Sequence, residues 1–272
     1  MTSAFRSMAW HTRIAVAVII VYMIVVMLAP VLAPYGETAV VGRSFEPWSE
    51  KFLLGTDNLG RDMASRLMYG ARNTVVLALV INTLGFILGV VLGFAAAASS
   101  KWIDQILSRI VDTLMSVPQL IFALLVLAIL GSSLPVLVTT IVILDATRFF
   151  RLARAVAMDI VVMDYVEAAR VRGEGLWWCI RREILPNALP TLMAEYGIRF
   201  CYVCLFIAGL SFLGLGLQPP SADLGSMVKD NAGLITFGYL TPLLPAAALA
   251  LLTVSVNFVV DWFSHWTTNT RA

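Results

Sequence analysis

Long apolar runs separated by polar segments dominate the chain. The hydrocarbon core of a bilayer is about 30 Å thick, and a helix needs about 20 apolar residues to cross it. Runs of this kind recur along the whole sequence and predict about six membrane-spanning helices, at 14–33, 75–98, 106–130, 136–150, 188–217 and 243–262. The sequence therefore predicts an all-α, polytopic membrane protein.

The composition excludes several classes of protein. Hydrophobic residues make up 60% of the 272 residues and charged residues 13%, whereas soluble domains carry about 25% charged residues. A soluble enzyme could not cover its surface with so little charge, and a net charge of +2 gives no reason to expect nucleic acid as a partner. The sequence contains no phosphate-binding G-x-x-x-x-G-K-[ST] motif and no metal-binding H-E-x-x-H motif, so we expect no cofactor, metal site or catalytic residues.

Basic residues indicate the orientation, because they concentrate on the cytoplasmic side of membrane proteins. With a cytoplasmic N-terminus, twelve Lys and Arg residues, including Arg6 and Arg271, fall in inner segments and six in outer segments. We therefore expect both termini to be cytoplasmic. A signal peptide is the alternative interpretation of 14–33, but this run is too long and lacks a small-residue cleavage site.

The charges are concentrated in two segments. Ten of the charged residues lie in the outer segment 37–72 and twelve in the inner segment 148–183. The inner segment also carries apolar residues at helical spacing, which predicts short amphipathic helices rather than disorder. Long insertions of this kind are usually functional.

The inner segment carries the most informative motif. Glu167, Ala168 and Ala169 are followed by Gly173, and Leu185-Pro186 comes twelve residues later. Small alanines allow close approach to another surface, and the glycine permits a bend between two short helices. We expect Pro186 to end the second short helix and to start the next membrane helix. The segment resembles the E-A-A loop of ABC-importer permeases, which implies that these six residues couple the chain to a separate ATPase subunit.

Two further motifs narrow the resemblance. Leu54-Gly55-Thr56-Asp57-Asn58-Leu59-Gly60-Arg61-Asp62 precedes the second membrane helix, and Ser211-Phe212-Leu213-Gly214-Leu215-Gly216 ends the fifth. Together they resemble the C-type permease of dipeptide, oligopeptide and nickel importers. The resemblance implies the type I permease fold and the bacterial inner membrane. It implies as partners a homologous B-type permease, two ABC ATPase subunits, a periplasmic or lipid-anchored solute-binding protein and membrane lipid.

Together with the apolar runs, the resemblance predicts how the chain is divided into segments. These are a cytoplasmic N-terminus at 1–13, a first helix at 14–33, a periplasmic loop with a short helix at 34–73, a permease core at 74–265 and a cytoplasmic C-terminus at 266–272. The core includes the E-A-A coupling loop at 151–187. Peptides or peptide-like solutes are the expected cargo, and nickel chelates and opines are the alternatives.

The outer motif has a local interpretation of its own. We expect Asp57 to cap a short helix that begins near Leu59, and Asp62 to pair with Arg66 at the i, i+4 spacing. The family resemblance implies that Asp57, Arg61 and Asp62 contact the binding protein. A purely structural role, fixing the outer loop to the helix bundle, is equally open.

Two features within the predicted membrane helices are also open to two interpretations. Glu195 and Arg199 share a helix face and can pair, either for structure or along the translocation path. Gly85, Gly89 and Gly93 form a small-residue stripe that favours helix packing, with a seam to the partner permease as the alternative.

Two other classes of function compete with an ABC permease. A self-contained secondary transporter explains the apolar helices but not the amphipathic inner segment. An intramembrane enzyme is opposed by the lack of a nucleophile or metal motif in the sequence.

Overall fold

A computed structural model describes residues 9–237 and 239–269 of the protein. Arg6, Arg271 and the outermost parts of both predicted termini lie outside the described residues. Ten α-helices occur in the described part of the chain: α1 Trp10–Leu32, α2 Met63–Ala98, α3 Lys101–Met115, α4 Gln119–Leu130, α5 Leu134–Val161, α6 Asp164–Val171, α7 Leu176–Cys179, α8 Leu185–Phe212, α9 Leu224–Asn231 and α10 Leu243–Asn269. A π-helical turn at Ile180–Ile184 joins α7 to α8, and a 3-10 segment at Ala232–Phe237 follows α9.

The described residues contain four helical segments that are long and apolar enough to cross a membrane: Trp10–Leu32, Met63–Ala98, Leu176–Phe212 and Leu243–Thr267. The α3–α4 pair makes a fifth if it is counted as one broken span. The sixth predicted run, 136–150, lies within the 28-residue helix α5, whose apolar part is interrupted by Asp145 and Arg148. The all-α membrane fold is therefore confirmed.

The predicted helix over 106–130 is broken into two. Helices α3 and α4 meet at an angle of 84° across Ser116–Val117–Pro118. Proline disfavours helical backbone in the residue before it, and Pro118 itself adopts an extended ψ of 126° as the N-cap of α4. This local backbone effect turns a single apolar run into a bent pair.

The outer loop also differs from the prediction. Its residues up to Asp62 form turns and two isolated β-bridges, Val40 with Arg61 and Thr56 with Asp62. Helix begins only at Met63 and continues without a break into the membrane as α2. The prediction of a separate short helix beginning near Leu59 is therefore wrong.

The glycine stripe of α2 packs against α5 of the same chain. A Cβ atom on Gly89 would lie 2.5 Å from the carbonyl oxygen of Ala146 and 2.6 Å from Cβ of Phe149. A Cβ on Gly93 would lie 2.7 Å from the carbonyl oxygen of Phe150, so only glycine allows the two helices to come this close. The packing interpretation is confirmed. The seam with a partner permease is wrong for these glycines, because α5 already fills the stripe.

Two apolar clusters hold the helices together. The larger one joins α2, α5, α8 and α10 through buried side chains that include Ile81, Ile141, Ile207 and Leu252. The second lies nearer the predicted inner face and joins α2 and α5 to α6 and the π-helical turn. Helix α1 is attached to the bundle at α10, where the Tyr22 hydroxyl donates a 2.6 Å hydrogen bond to the carbonyl oxygen of Ala248.

We predict that Gly89→Val separates α2 from α5 and destabilises the protein. The new side chain meets backbone atoms, which cannot move aside as a flexible side chain can, and overpacking of this kind costs about 1–3 kcal/mol. The thermal unfolding midpoint in detergent should fall clearly below that of the wild type. Gly209→Val is the matched control, because a Cβ at Gly209 would meet no atom within 4 Å other than the backbone of its own stretch of helix. Equal midpoints for both variants would contradict the prediction.

Candidate functional site

The inner polar segment folds into a helical elbow, which we define as residues 162–187. Its first helix is α6, whose Val166 and Ala169 are both fully buried. Val166 belongs to the inner apolar cluster together with Ile180 and Ile184. Glu167 and Ala168 lie on the opposite, exposed face of α6. The two alanines of the motif therefore differ in role: Ala169 packs within the chain, and only Ala168 is free for a close approach by another protein.

Gly173 forms the bend of the elbow, as its position in the motif predicts. Its φ of +86° lies in the region that L-residues with a side chain rarely adopt. The amide of Gly173 donates to the carbonyl oxygen of Arg170 at 2.9 Å, and the amide of Glu174 donates to that of Ala169 at 3.2 Å. These bonds close the C-terminus of α6 and turn the chain towards α7.

Pro186 does not end a helix, contrary to the expectation. Leu176–Phe212 forms one 37-residue helical segment, and Pro186 lies in the first turn of α8, directly after the π-helical turn. In that turn the amide of Leu185 donates to the carbonyl oxygen of Ile180, five residues back. Single π-helical turns occur inside continuous α-helices, so the elbow and the membrane helix remain mechanically continuous.

The exposed face of the elbow carries several large apolar side chains among its charged residues. Val171 is 84% exposed and Trp177 65% exposed, and Val162, Met163, Tyr165 and Leu176 are also exposed. Large apolar side chains grouped on a charged, polar segment mark an interaction surface. Glu167 lies on this surface together with the small Ala168.

On the predicted outer side, Asp57 organises the loop before α2. Its Oδ1 accepts hydrogen bonds from the amides of Leu59 at 2.8 Å and Arg61 at 2.9 Å. Its Oδ2 accepts from Nε of Arg61 at 2.7 Å and lies 3.3 Å from Nε of Arg66. Asp57 thus forms ion pairs with two buried arginines and stabilises a turn, rather than capping a helix at Leu59.

Asp62 has a different partner from the one expected. It is the N-cap of α2, and its Oδ2 accepts hydrogen bonds from the amide of Ser65 at 2.8 Å and from its hydroxyl at 2.7 Å. The predicted pair between Asp62 and Arg66 is wrong, because Arg66 reaches Asp57 instead. All four of Asp57, Arg61, Asp62 and Arg66 are buried.

Glycines make the tight turns of this loop possible. Gly55 and Gly60 both have a φ of +75°. A Cβ on Gly60 would lie 2.2 Å from the carbonyl oxygen of Gly42, whose amide in turn donates to the carbonyl oxygen of Gly60 at 3.0 Å. Both glycines of the outer motif are therefore required by the backbone path.

The motif Ser211–Gly216 at the end of α8 meets the outer motif Leu54–Asp62 at one cavity of about 330 Å³, which we call the outer pocket. Gly214, with a φ of +87°, lies at the end of α8, and a Cβ there would lie 2.7 Å from Nζ of Lys229. A Cβ on Gly216 would overlap the hydroxyl of Ser211. The outer pocket is lined by Asn58, Leu59, Arg61, Arg66, Ser211, Gly214, Leu217, Gln218, Pro219, Pro220, Ser221, Ser226, Lys229 and Asp230.

Hydrogen bonds fix the segment after α8 to the start of α2. The Glu37 carboxylate accepts from the side-chain amide of Asn73 at 2.9 Å and from the amide of Ala222. The Thr74 hydroxyl donates to Asp223 Oδ1 at 2.8 Å, and Asp223 caps α9 by accepting from the amide of Ser226 at 2.9 Å. The walls of the outer pocket are therefore held in place from both sides.

Glu195 and Arg199 pair within α8, as their spacing predicts. Nε of Arg199 lies 3.0 Å from Oε1 of Glu195, and the guanidinium stacks 4.5 Å from the ring centre of Tyr202. The sequence did not predict a third charged residue beside this pair. It is Asp145 of α5, which is 2% exposed and lies within electrostatic range of both Glu195 and Arg199. Its signal was a single carboxylate within the apolar run 136–150. The sequence alone could not place it beside α8.

The described residues contain no group of three or more His, Cys, Asp or Glu side chains arranged to hold an ion. The three cysteines, Cys179, Cys201 and Cys204, are all buried as free thiols.

Comparison with known proteins decides the family. Residues 85–268 match the family described as "Binding-protein-dependent transport system inner membrane component". The chain belongs to this family of inner membrane transport components. It is a multi-pass permease subunit of the ABC-importer type, and transport rather than catalysis is the function of the family.

Named relatives cover most of the chain. A putative peptide transport system permease protein of Brucella suis is 34% identical over 89% of this chain and 83% of its own length. The di/tripeptide transport system permease protein DppC of Pseudomonas aeruginosa is 33% identical over 86% of this chain and 80% of its own length. The probable D,D-dipeptide transport system permease protein DdpC of Escherichia coli is 33% identical over 90% of this chain and 83% of its own length.

Solved structures support the same fold. A chain of the MetNI methionine ABC transporter in an inward-facing conformation superposes with a TM-score of 0.62 at 21% identity, over 75% of this chain and 96% of that one. A chain of an amino acid ABC transporter solved with histidines gives a TM-score of 0.56 at 22% identity, over 74% of this chain and 94% of that one. The resemblance to the type I permease fold is thereby confirmed.

We predict that Asp57→Asn unfolds the outer loop locally. The change removes the negative charge that Arg61 and Arg66 share in a buried site, and breaking a buried ion pair from one side costs about 3–5 kcal/mol. Limited proteolysis within 40–62 should be faster in this variant than in the wild type. Glu50→Gln is the control, because Glu50 lies exposed on the same loop. Equal protection of the loop in both variants would show that Asp57 does not hold it.

Proposed function

We propose that this chain is the permease subunit of an ATP-driven importer and that, with a second permease, it forms the translocation path for peptides or peptide-like solutes. The importer has two ATPase subunits, one of which binds the cytoplasmic elbow of this chain, and a solute-binding protein delivers cargo at the outer face. The N- and C-termini are cytoplasmic. One observation carries the proposal: the elbow presents Glu167, Ala168 and apolar side chains away from the chain's own core.

The peptide cargo rests on the relatives. The Brucella suis protein is a putative peptide permease and the Pseudomonas aeruginosa protein a di/tripeptide permease. The Pectobacterium atrosepticum relative is a glutathione permease, which is 29% identical over 94% of this chain. Small peptides and peptide-like compounds are the chemistry that these names share, so we place the cargo of this chain in the same class.

The elbow is built to transmit motion. Val166 attaches α6 to the inner apolar cluster, which also contains Val90 and Phe94 of α2. A push on the exposed face of α6 therefore moves the packed helices with it, because close-packed interiors transmit strain rather than absorb it. Nucleotide-driven closure of the ATPases supplies that push in our proposal.

One continuous helical segment connects the two faces of the chain. Leu176–Phe212 runs from the elbow, through the membrane, to Ser211 at the outer pocket. At 1.5 Å per residue its 37 residues extend about 55 Å. We propose that this segment carries the movement of the elbow to the outer face, which is the requirement of an alternating-access transporter.

We predict that Glu167→Lys uncouples the chain from its ATPases. The variant reverses the charge at the centre of the exposed α6 face without touching the buried face of Val166 and Ala169. Co-purification of the ATPases with the permease pair should fall sharply, and ATP-driven uptake with it. Glu50→Lys makes the same charge change on the outer loop and should leave co-purification at the wild-type level. Full ATPase recovery with Glu167→Lys would rule out docking through α6.

We further predict that Glu195 and Arg199 lie along the translocation path. Their side chains are 26% and 16% exposed within this chain, so a solute in the path can reach them. Glu195→Gln combined with Arg199→Gln removes both charges together and leaves neither unpaired. The double variant should assemble normally and show reduced uptake. Unchanged uptake would assign the pair a structural role alone.

A further inference from the structure

The outer pocket contains buried hydrogen-bond donors that lack an acceptor. Arg66 is 3% exposed, and although its Nε lies 3.3 Å from Asp57 Oδ2, neither Nε nor Nη1 has a hydrogen-bond acceptor among the described residues. The hydroxyl of Ser211, 2% exposed, also lacks a partner there. Both side chains line the pocket. A buried, unpaired polar group is costly, and each one calls for an explanation.

The charge around the pocket favours an anion. Arg61, Arg66 and Lys229 line it, and Lys229 lies at the mouth with its Nζ beside Gly214. Lys229 forms no ion pair within residues 9–237 and 239–269. Asp57 offsets part of the positive charge from behind, and Asp230 adds an exposed carboxylate to the lining, within electrostatic range of Arg66. No Asp230 oxygen lies within 4.0 Å of a nitrogen of Arg66 or Lys229 in an ion pair, so these donors stay available.

A second cavity on the same face indicates what kind of molecule carries the anion. It measures about 400 Å³ and is lined mainly by apolar and aromatic side chains of the outer loop and of the segment before α10, among them Phe45, Trp48, Tyr239 and Leu240. Glu46, Thr56 and Thr241 complete the lining. Trp48, Tyr239 and Leu240 are each more than half exposed. The outer loop lines both cavities, with Thr56 at the apolar one and Asn58 at the charged one. Pockets of these two kinds at a protein interface are where anchoring side chains are held.

We infer that the outer pocket receives an acidic side chain of the solute-binding protein, while an apolar side chain of the same protein fills the neighbouring cavity. The inference rests on the proposed function and adds the chemistry of the contact. A carboxylate in the outer pocket accepts hydrogen bonds from the unpaired donors of Arg66 and pairs with Lys229 at the mouth. Charge-assisted bonds of this kind are about twice as strong as neutral ones.

The test measures the affinity of the binding protein for the assembled importer. The full complex of both permeases and both ATPases is reconstituted in nanodiscs, and the dissociation constant of the binding protein is measured by interferometry. Lys229→Glu is the variant of choice because Lys229 is exposed, whereas a change at buried Arg66 endangers folding. We expect Lys229→Glu to raise the dissociation constant at least about tenfold, as loss of an interfacial charge pair does.

Lys51→Glu is the matched control. Lys51 lies exposed on the outer loop with its Nζ 5.0 Å from the centre of the Phe52 ring, and it does not line the outer pocket. The dissociation constant of the binding protein for the Lys51→Glu importer should stay within about twofold of the wild type. This result separates a local contact at Lys229 from general electrostatic attraction. A charge-reversed Asp or Glu on the docking face of the binding protein should restore the affinity of Lys229→Glu, and this double-mutant cycle identifies the acidic partner.

An unchanged dissociation constant for Lys229→Glu would overturn the inference. If the KM for uptake rises in the same variant, the pocket is assigned to a carboxylate of the transported solute instead. Failure of the proposed function looks different, because the wild-type complex would then show no ATP-driven uptake with its binding protein.

Discussion

The absence of water in the bilayer core is the constraint on which this structure depends. Backbone groups there must bond within the chain, so the membrane-crossing segments are helices, and charged groups are paired or moved to the two faces. The Glu195–Arg199 pair shows the first solution. The outer and inner polar segments show the second, since 22 of the charged residues lie in 37–72 and 148–183. The charges therefore mark where the chain can meet soluble partners.

Close helix packing then joins these two faces into one body. Glycines of α2 allow α5 to approach until backbone meets backbone at Gly89 and Gly93. Alanine and branched side chains attach α6 to the same packed layer. The uninterrupted segment Leu176–Phe212 adds a direct connection from Trp177 on the elbow to Ser211 at the outer pocket. In our proposal this chain transmits movement, and separate subunits hydrolyse ATP.

Features set by neighbours in sequence were predictable, and features set by the fold were not. The bend at Gly173 and the i, i+4 pair of Glu195 and Arg199 follow from local geometry. The partner of Arg66 was mispredicted because a turn, not a helix, brings Asp57 within reach. The outer pocket required two motifs about 150 residues apart to meet, as Asn73 and Thr74 meet Ala222 and Asp223.

The central claim is that α6 docks on a separate ATPase, and site-directed cross-linking tests it most directly. All three native cysteines are buried, so Ala168→Cys introduces one exposed thiol on α6, and Val166→Cys provides a buried control. A short bifunctional thiol reagent should link Ala168→Cys, but not Val166→Cys, to an ATPase subunit with a surface cysteine in its docking groove. An assembled, ATP-hydrolysing complex in which Ala168→Cys gives no such product with any groove position would contradict the account.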